Sequence, residues 1–181
     1  MRRILETPRL LLRELEEGDL DFTAAMLGHP EVMRYWPRCY TREEARDWIR
    51  AQRERYARDG YGYWLALDFS TGNPVGQVGL LEVTLDGVSA PGLGYIVHRP
   101  FQRRGYAVEG SRGVIDHAFH RLGKTRLVTP IRPENGPSLG VAAKLGLRLA
   151  GRTVHAGFDH LVFVLDREDW REAPATPEED A

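Results

Sequence analysis

The chain has 181 residues, a length that suits one domain with a sizeable core. Its 42% hydrophobic and 28% charged residues are typical of a soluble globular protein. The net charge is −1, and without the three acidic residues near the C-terminus the body has 25 basic against 23 acidic residues, a balance of +2. That charge is too small for a nucleic-acid-binding surface. No apolar run is long enough for a membrane span or a signal peptide.

These limits predict a cytoplasmic protein with neither a nucleic-acid nor a membrane partner; a homodimer is left open. The single Cys39 excludes an internal disulfide and suggests a reducing compartment. Because the sequence offers no obvious activating partner, we interpret Cys39 as a packed or incidental thiol. His117 and His120 share a predicted helix, but without a nearby Cys or acidic motif we expect solvated side chains and no metal.

Apolar periodicity predicts seven strands and four helices in the order β-α-α-β-β-β-α-β-α-β-β. The strands fall at residues 9–14, 63–68, 75–83, 93–97, 124–131, 148–151 and 160–165, and the helices at about 20–27, 41–59, 105–122 and 137–145. Residues 29–40 form an irregular, aromatic-rich stretch. We therefore expect an α/β (α+β) fold in which helices cover a largely antiparallel sheet. One domain would span residues 7–172, followed by a disordered acidic tail at 173–181.

Two helix boundaries carry explicit signals. Thr41 and Glu44 have the spacing of a capping box, and Gly60 is a natural stop for the helix that they open. Gly146 followed by Leu147 has the pattern of a glycine C-cap with a hydrophobic residue after it.

The most informative segment joins the predicted strand at 93–97 to the helix that follows. It consists of Gln102, Arg103, Arg104, Gly105, Tyr106 and Ala107, hereafter the 102–107 loop. A glycine-hinged loop that opens a helix presents unpaired N–H groups at the positive end of the helix dipole, which favours phosphate binding. The spacing matches neither GxGxxG nor GxxxxGK[ST].

This QxxGxA pattern resembles the acetyl-CoA pyrophosphate loop of the GNAT superfamily of N-acetyltransferases. Residues 6–13 (ETPRLLLR) are similar to the ETxRLxLR start of its RimJ/RimL-like branch. Asn135 and Ser138, with Lys144-Leu145-Gly146-Leu147 after them, resemble that branch's NxxS…K-x-G-F segment. Residues 160–165, followed by Asp169-Trp170, are similar to its last strand and closing tryptophan, so the resemblance covers roughly residues 6–171.

The resemblance implies a GNAT fold, whose central sheet splays between its fourth and fifth strands, and a GNAT domain at residues 7–172. It also implies acetyl-CoA as cosubstrate and direct transfer of the acetyl group to a primary amine. The acceptor would be a protein N-terminus or a small-molecule amine, such as a polyamine, an amino acid or an antibiotic. A non-catalytic CoA-binding module is the rival from another class.

The same resemblance implies roles for individual residues. The 102–107 loop would wrap the pyrophosphate mainly with backbone N–H groups, while Ile96, Val97 and His98 would offer backbone groups to the pantetheine arm. Asn135 would bond the pantetheine, and Ser138 would point its hydroxyl toward the thioester sulfur as the general acid, since no tyrosine follows Asn135. Asn, Gly, Pro and Ser also suit an ordinary strand-to-helix connection, which is the local alternative.

The general base and the acceptor pocket are less well marked. Many relatives carry a glutamate near the start of the fourth strand, where this chain has none; Glu82 is the nearest upstream carboxylate, and Asp86 the next. A water relay or an already neutral amine would remove the need for a base. Tyr35 and Trp36 form either part of the acceptor pocket or a plug under the first helices, and Tyr95 could line the same pocket.

Overall fold

Within residues 2–170, which are the part of the chain that the computed structural model describes, eight strands form one sheet with helices on both faces. The strands are β1 (Arg3–Glu6), β2 (Leu10–Arg13), β3 (Tyr63–Asp68), β4 (Pro74–Leu85), β5 (Val88–Val97), β6 (Arg126–Ile131), β7 (Arg148–His155) and β8 (Phe158–Asp166). The helices are α1 (Leu20–Leu27), α2 (Arg42–Asp59), α3 (Tyr106–His120) and α4 (Gly136–Lys144). The tail expected at 173–181 lies outside the described residues.

The sheet order is β1-β2-β3-β4-β5-β6-β8-β7, and the neighbours are antiparallel except for the parallel pair β5 and β6. This confirms the predicted mixed, mostly antiparallel sheet. The sequence analysis missed β1, because a four-residue edge strand with charged ends shows too little alternation to be recognised. The strands predicted as fourth and fifth are therefore β5 and β6.

The predicted splay lies between these two strands. β4 and β5 pair continuously from Gly76↔Val97 to Leu85↔Val88. Along the described chain, β5 and β6 pair only at Gly92↔Val128, after which the two strands diverge toward their C-terminal ends. The split therefore opens where β5 leads toward α3 and β6 leads toward α4.

Two layers of apolar side chains hold the helices against the sheet. On one face α3 and α4 pack with the strands around a core that includes Leu12, Trp64, Leu80, Ile115, Phe119, Leu127 and Leu165. On the other face α1 contributes Met26 and Leu27 beside Tyr63 and Ile96, and α2 contributes Ile49 beside Leu65. No helix among residues 2–170 is both long and apolar enough to cross a membrane.

The predicted helix boundaries are confirmed. Thr41 Oγ1 accepts a hydrogen bond from the Glu44 N–H at 3.2 Å, and the Glu44 carboxylate accepts one from the Thr41 N–H at 2.8 Å. Gly60 ends α2 with a φ of +80°, and Gly146 follows α4 with a φ of +73°. Both conformations are easy for glycine and costly for other residues.

Candidate active site

The split between β5 and β6 continues into a groove of about 750 Å³ that reaches the starts of α3 and α4. Nine of the eleven residues predicted to bind the cofactor line it: Ile96, Val97, Gln102, Arg103, Gly105, Tyr106, Ala107, Asn135 and Ser138. The other two do not. Arg104 stacks its guanidinium over the Phe101 ring, 5.7 Å from the centroid, and His98 turns into a neighbouring aromatic cluster.

The 102–107 loop presents backbone N–H groups at the start of α3. Arg103 and Gly105 have φ angles of +65° and +85°, so the chain turns sharply twice. Gly105 is the N-cap and has no side chain to cap the helix, and the Glu109 N–H bonds the Gly105 carbonyl at 3.0 Å. The N–H groups of the first helical residues ahead of Glu109 lie at the positive end of the helix, where an anion can accept from them.

Two side chains of the loop, those of Gln102 and Tyr106, are turned toward the protein. Gln102 Nε2 donates to the Val97 carbonyl at 3.0 Å, and the Tyr106 hydroxyl donates to the Asp68 carboxylate. Arg103 and Arg104 are exposed, and no carboxylate within residues 2–170 forms an ion pair with either. Their positive charges thus remain available beside the loop.

A clamp from the N-terminal segment fixes this loop. Thr7 Oγ1 and the Arg9 N–H each donate to the Glu109 carboxylate at 2.7 Å, and Arg9 Nε donates to its other oxygen at 2.6 Å. Arg9 Nη1 also donates to the Arg104 carbonyl at 3.1 Å, and its guanidinium lies 4.8 Å from the Tyr106 ring centroid. The similarity at residues 6–13 was the signal for this clamp, but the sequence did not reveal what the motif contacts.

At the free edge of β5, only every second residue directs its backbone N–H and carbonyl groups away from β4. The His98 N–H donates to the Val75 carbonyl at 2.9 Å, and the His98 carbonyl accepts from the Phe101 N–H at 2.9 Å. Both backbone groups are therefore occupied, which removes His98 from the predicted pantetheine-binding set. Because strand residues alternate in direction, the backbone groups of Ile96 face Gln77 of β4, as the His98 N–H faces Val75. The backbone groups of Tyr95 and Val97 point toward the split, where the Val97 carbonyl already accepts from Gln102 Nε2.

The hydroxyl groups of Ser138, at the start of α4, and of Tyr95, on β5, lie at the inner end of the groove. Asn135 caps α4 by accepting from the Ser138 N–H at 3.2 Å, so the local role that its residue type suggested is present. The Ser138 hydroxyl has no hydrogen-bond partner among residues 2–170. The Tyr95 hydroxyl donates to the Ser138 carbonyl at 3.2 Å, and burial raises the pKa of Tyr95 to about 12, so this phenol keeps its proton at neutral pH.

A second cavity, of about 400 Å³, meets the groove at this point. The residues common to both are Tyr35, Trp36, Tyr95, Asn135 and Ser138. All three residues predicted to bind the acceptor and the predicted general acid thus lie at the junction of the two cavities. Trp36 also packs edge-on against Trp48 at 6.1 Å, so the aromatic stretch both supports the core and lines the cavities.

The walls of the second cavity hold six tyrosine, tryptophan and phenylalanine side chains. They are those of Tyr35, Trp36, Tyr40, Tyr63, Tyr95 and Phe158. Of the described residues that line it, none carries a carboxylate, and the single permanent charge belongs to Arg132. The Arg132 guanidinium lies 4.1 Å from the Phe158 ring centroid and pairs with Glu134 outside the cavity lining. His155 and His160 also line the cavity, and the sequence analysis overlooked them.

Comparison with known proteins agrees with this geometry. Residues 9–148 match the family model described as the acetyltransferase (GNAT) domain. The chain belongs to the GNAT family of acetyltransferases.

Its relatives include the uncharacterized N-acetyltransferase YnaD of Bacillus subtilis (strain 168), which is 25% identical over 92% of this chain and 98% of its own length. The GNAT-family acetyltransferase of Bacillus anthracis superposes with a TM-score of 0.79 at 22% identity, over 92% of this chain and 99% of that one. RimJ of Mycobacterium smegmatis, solved with CoA-disulfide, has a TM-score of 0.73 at 22% identity, over 88% of this chain and 83% of that one.

The carboxylate first considered as the base of this GNAT protein lies away from the site. Leu81 and Val83 line the second cavity, and because side chains alternate along β4, Glu82 projects from the opposite face. There the Tyr61 hydroxyl donates to the Glu82 carboxylate at 2.8 Å. The choice of Glu82 was based on sequence proximity, which does not reveal which face of a strand meets the cavity.

One of the two histidines on α3, both of which were expected to be solvated, differs from that expectation. His117 is half-buried, with its ring 5.5 Å from the Trp64 ring centroid, rather than solvated. Across residues 2–170, no three His, Cys, Asp or Glu side chains converge as metal ligands would.

Proposed function

We propose that this GNAT protein transfers an acetyl group from acetyl-CoA directly to a primary amine, with CoA in the groove and the amine in the second cavity. The observation that carries this proposal is the junction of the two cavities at Tyr95, Asn135 and Ser138. Direct transfer requires the amine and the thioester to meet in one place with their reacting atoms aligned, and two converging cavities provide that arrangement.

Each part of the groove suits one part of CoA. The N–H groups at the start of α3 would bind the pyrophosphate, and the exposed Arg103 and Arg104 would add positive charge. The edge of β5, at Tyr95 and at the N–H of Val97, would pair with the amides of the pantetheine arm, as another strand would. The amide nitrogen of Asn135 remains able to donate while its oxygen caps α4.

Ser138 would supply the proton that the leaving thiolate needs. Its hydroxyl is uncommitted among the described residues and lies at the start of α4, where the helix dipole favours developing negative charge. The Tyr95 hydroxyl lies beside it and holds its proton, so it would stabilise the same region. No nucleophile is required, because the amine attacks the thioester itself.

The acceptor would be an α-amine at the end of a peptide, in the RimJ/RimL-like manner. The aromatic walls suit an apolar or flat group beside the amine. A polyamine or another polycation would meet Arg132 and no carboxylate among the described lining residues, so its charges would be poorly compensated. A free amino acid amide is the second candidate, because a cavity of about 400 Å³ can enclose a molecule of that size.

The test is release of free CoA thiol from acetyl-CoA with three acceptors: phenylalaninamide, a peptide with a free N-terminus, and spermidine. We expect turnover with the first two and little with spermidine, together with CoA binding by calorimetry. Preference for spermidine would overturn the proposed acceptor class. Binding of CoA without thiol release for any amine would overturn the transfer itself.

A further inference from the structure

The β7–β8 hairpin turns one face toward the second cavity. His155 pairs with Phe158 across the hairpin, so their side chains lie on the same face, and His160 follows Phe158 by two residues and shares that face. All three line the cavity. The two imidazole rings meet edge to face, with centroids 5.7 Å apart. This pair of titratable groups has no role in CoA binding or in protonation of the leaving thiolate.

A hydrogen bond sets the tautomer of His160. Its Nδ1 lies 2.9 Å from the Phe158 carbonyl oxygen. A carbonyl oxygen can only accept, so Nδ1 carries the hydrogen, and in the neutral ring Nε2 then has a free lone pair. A neutral imidazole held this way by a backbone carbonyl is a proton acceptor with a fixed direction.

We propose that His160 is the general base of this enzyme and removes the proton from the ammonium form of the acceptor, directly or through one water. The inference rests on the proposed acetyl transfer. It fills the role for which no carboxylate is available among the described residues that line the cavity. His155 is a positioning residue that packs against the His160 ring and restricts its rotation.

The chemical balance is simple. An ammonium acceptor transfers one proton to His160 Nε2, giving a neutral amine and an imidazolium that returns the proton to solvent. The amine nitrogen then forms a bond to the thioester carbon, the carbon–sulfur bond breaks, and the second nitrogen-bound proton ends on the CoA sulfur by way of Ser138. The products are the acetylated amine, CoA thiol and one released proton.

Both positively and negatively charged groups lie around His160 and its neighbours. Arg132 reaches Phe158 from the end of β6, and Glu134 pairs with that guanidinium. Thr153, the β7 partner of His160, donates to the Asp86 carboxylate at 2.8 Å from the tip of the β4–β5 hairpin. The titratable groups on the remaining walls are the phenols of Tyr35, Tyr40, Tyr63 and Tyr95, together with His155. One cation and two carboxylates thus surround the histidine pair, and the carboxylates are held by their own partners.

His160→Asn is the diagnostic variant, because an asparagine amide can still donate to the Phe158 carbonyl but offers no basic nitrogen. His120→Asn is the matched control, since His120 is exposed at the end of α3 and outside both cavities. Two acceptors with the same aromatic group, phenethylamine and phenylalaninamide, differ in basicity. An alkylamine has a pKa of about 10.4 and an α-amine about 7.7–8.0, so at pH 8 the first is almost entirely protonated and the second about half neutral.

We expect His160→Asn to lower kcat/KM about 100- to 1000-fold with phenethylamine but less than about 10-fold with phenylalaninamide, with unchanged CoA affinity. Activity with phenethylamine should also shift to higher pH in the variant. Equal losses for the two amines would reduce His160 to a structural role and overturn the inference.

A measurement without turnover tests the same idea. Nitrogen-15 spectra of the wild-type imidazoles should show His160 with hydrogen on Nδ1 and none on Nε2 near pH 8. The opposite tautomer would overturn the inference even if the enzyme is active. Absence of thiol release by the wild type with every amine would instead overturn the proposed function, so the two failures are distinguishable.

Discussion

The groove and the second cavity meet, yet they are built in different ways. The groove takes nine of its lining residues from two short runs, residues 102–107 and 135–138, whose backbone groups lie at the starts of α3 and α4. The cavity is formed by side chains from the 35–40 stretch, β3, β4, β5, β6 and the β7–β8 hairpin. A site built from backbone groups suits CoA, which is the same in every acetyl transfer from acetyl-CoA. A site built from side chains can differ from one acceptor to another. CoA binding should therefore respond to changes in conformation, and acceptor use to changes in side-chain chemistry.

The largest effect should come from Gly105→Val, because Gly105 has the backbone conformation in the 102–107 loop that a valine can least easily adopt. Gly105 has a φ of +85°, and an added Cβ would approach Arg9 Nη2 to 3.3 Å. A β-branched residue is strained there, so we expect CoA to bind at least about 100-fold more weakly by calorimetry.

Gly151→Val is the matched control, since Gly151 has no positive φ and open space around it. Equal CoA affinity in the wild type and Gly105→Val would show that the 102–107 loop is not the pyrophosphate site.

Ser138→Ala probes the junction, where the two regions share residues. We expect kcat to fall roughly 10- to 1000-fold, because the leaving thiolate loses a proton donor, while the CoA dissociation constant stays nearly constant. Ser89→Ala, on the exposed β4–β5 hairpin, removes a comparable hydroxyl outside both cavities. An unchanged kcat under conditions where chemistry limits turnover would leave Ser138 as a helix-start residue only.

Arg9→Ala tests whether a side chain outside the groove affects CoA binding by the 102–107 loop. Without the clamp on Glu109 and the Arg104 carbonyl, the loop should lose part of its order, so CoA should bind about 3- to 10-fold more weakly. The turnover rate at saturating CoA should change little. Arg3→Ala removes the same charge from the same segment, so equal effects of the two variants would indicate long-range charge rather than the clamp.

The smallest expected effect is on the stability of the fold and not on activity. Burial lowers the pKa of His98 and of His117, neither of which lines a cavity. The unfolded chain therefore binds more protons near pH 6, and the stability that these groups contribute is lost as pH falls from about 6.5 through their folded pKa values.

The melting temperature should thus decline between pH 7 and pH 5, and His117→Gln should make that decline shallower. A melting temperature that rises on acidification would contradict this account.

Features set by nearby residues could be predicted from the sequence, whereas features set by long-range strand pairing could not. The 102–107 loop, the capping box at Thr41 and the stop at Gly60 are local signals, because nearby residues decide each conformation. His98 and Glu82 were misplaced because the direction of a strand residue depends on which partner it pairs with and which helix covers it. His155 and His160 were overlooked because the β6–β8 pairing, such as Ile131↔Leu161, determines what their hairpin faces. Two histidines close to a tight Ala156-Gly157 turn were the available signal.

The meeting of β5 and β6 at Gly92↔Val128 also bears on how the protein unfolds. Along residues 2–170, five strands lie on one side of this pair and three on the other, and no further strand pairing crosses between them. The two parts are held together mainly by packing of buried residues such as Leu93, Leu127 and Leu165 in the shared core. Hydrogen exchange can therefore detect opening of the three-stranded part as a separate cooperative unit, and a ligand that pairs with both edges would link the two units into one.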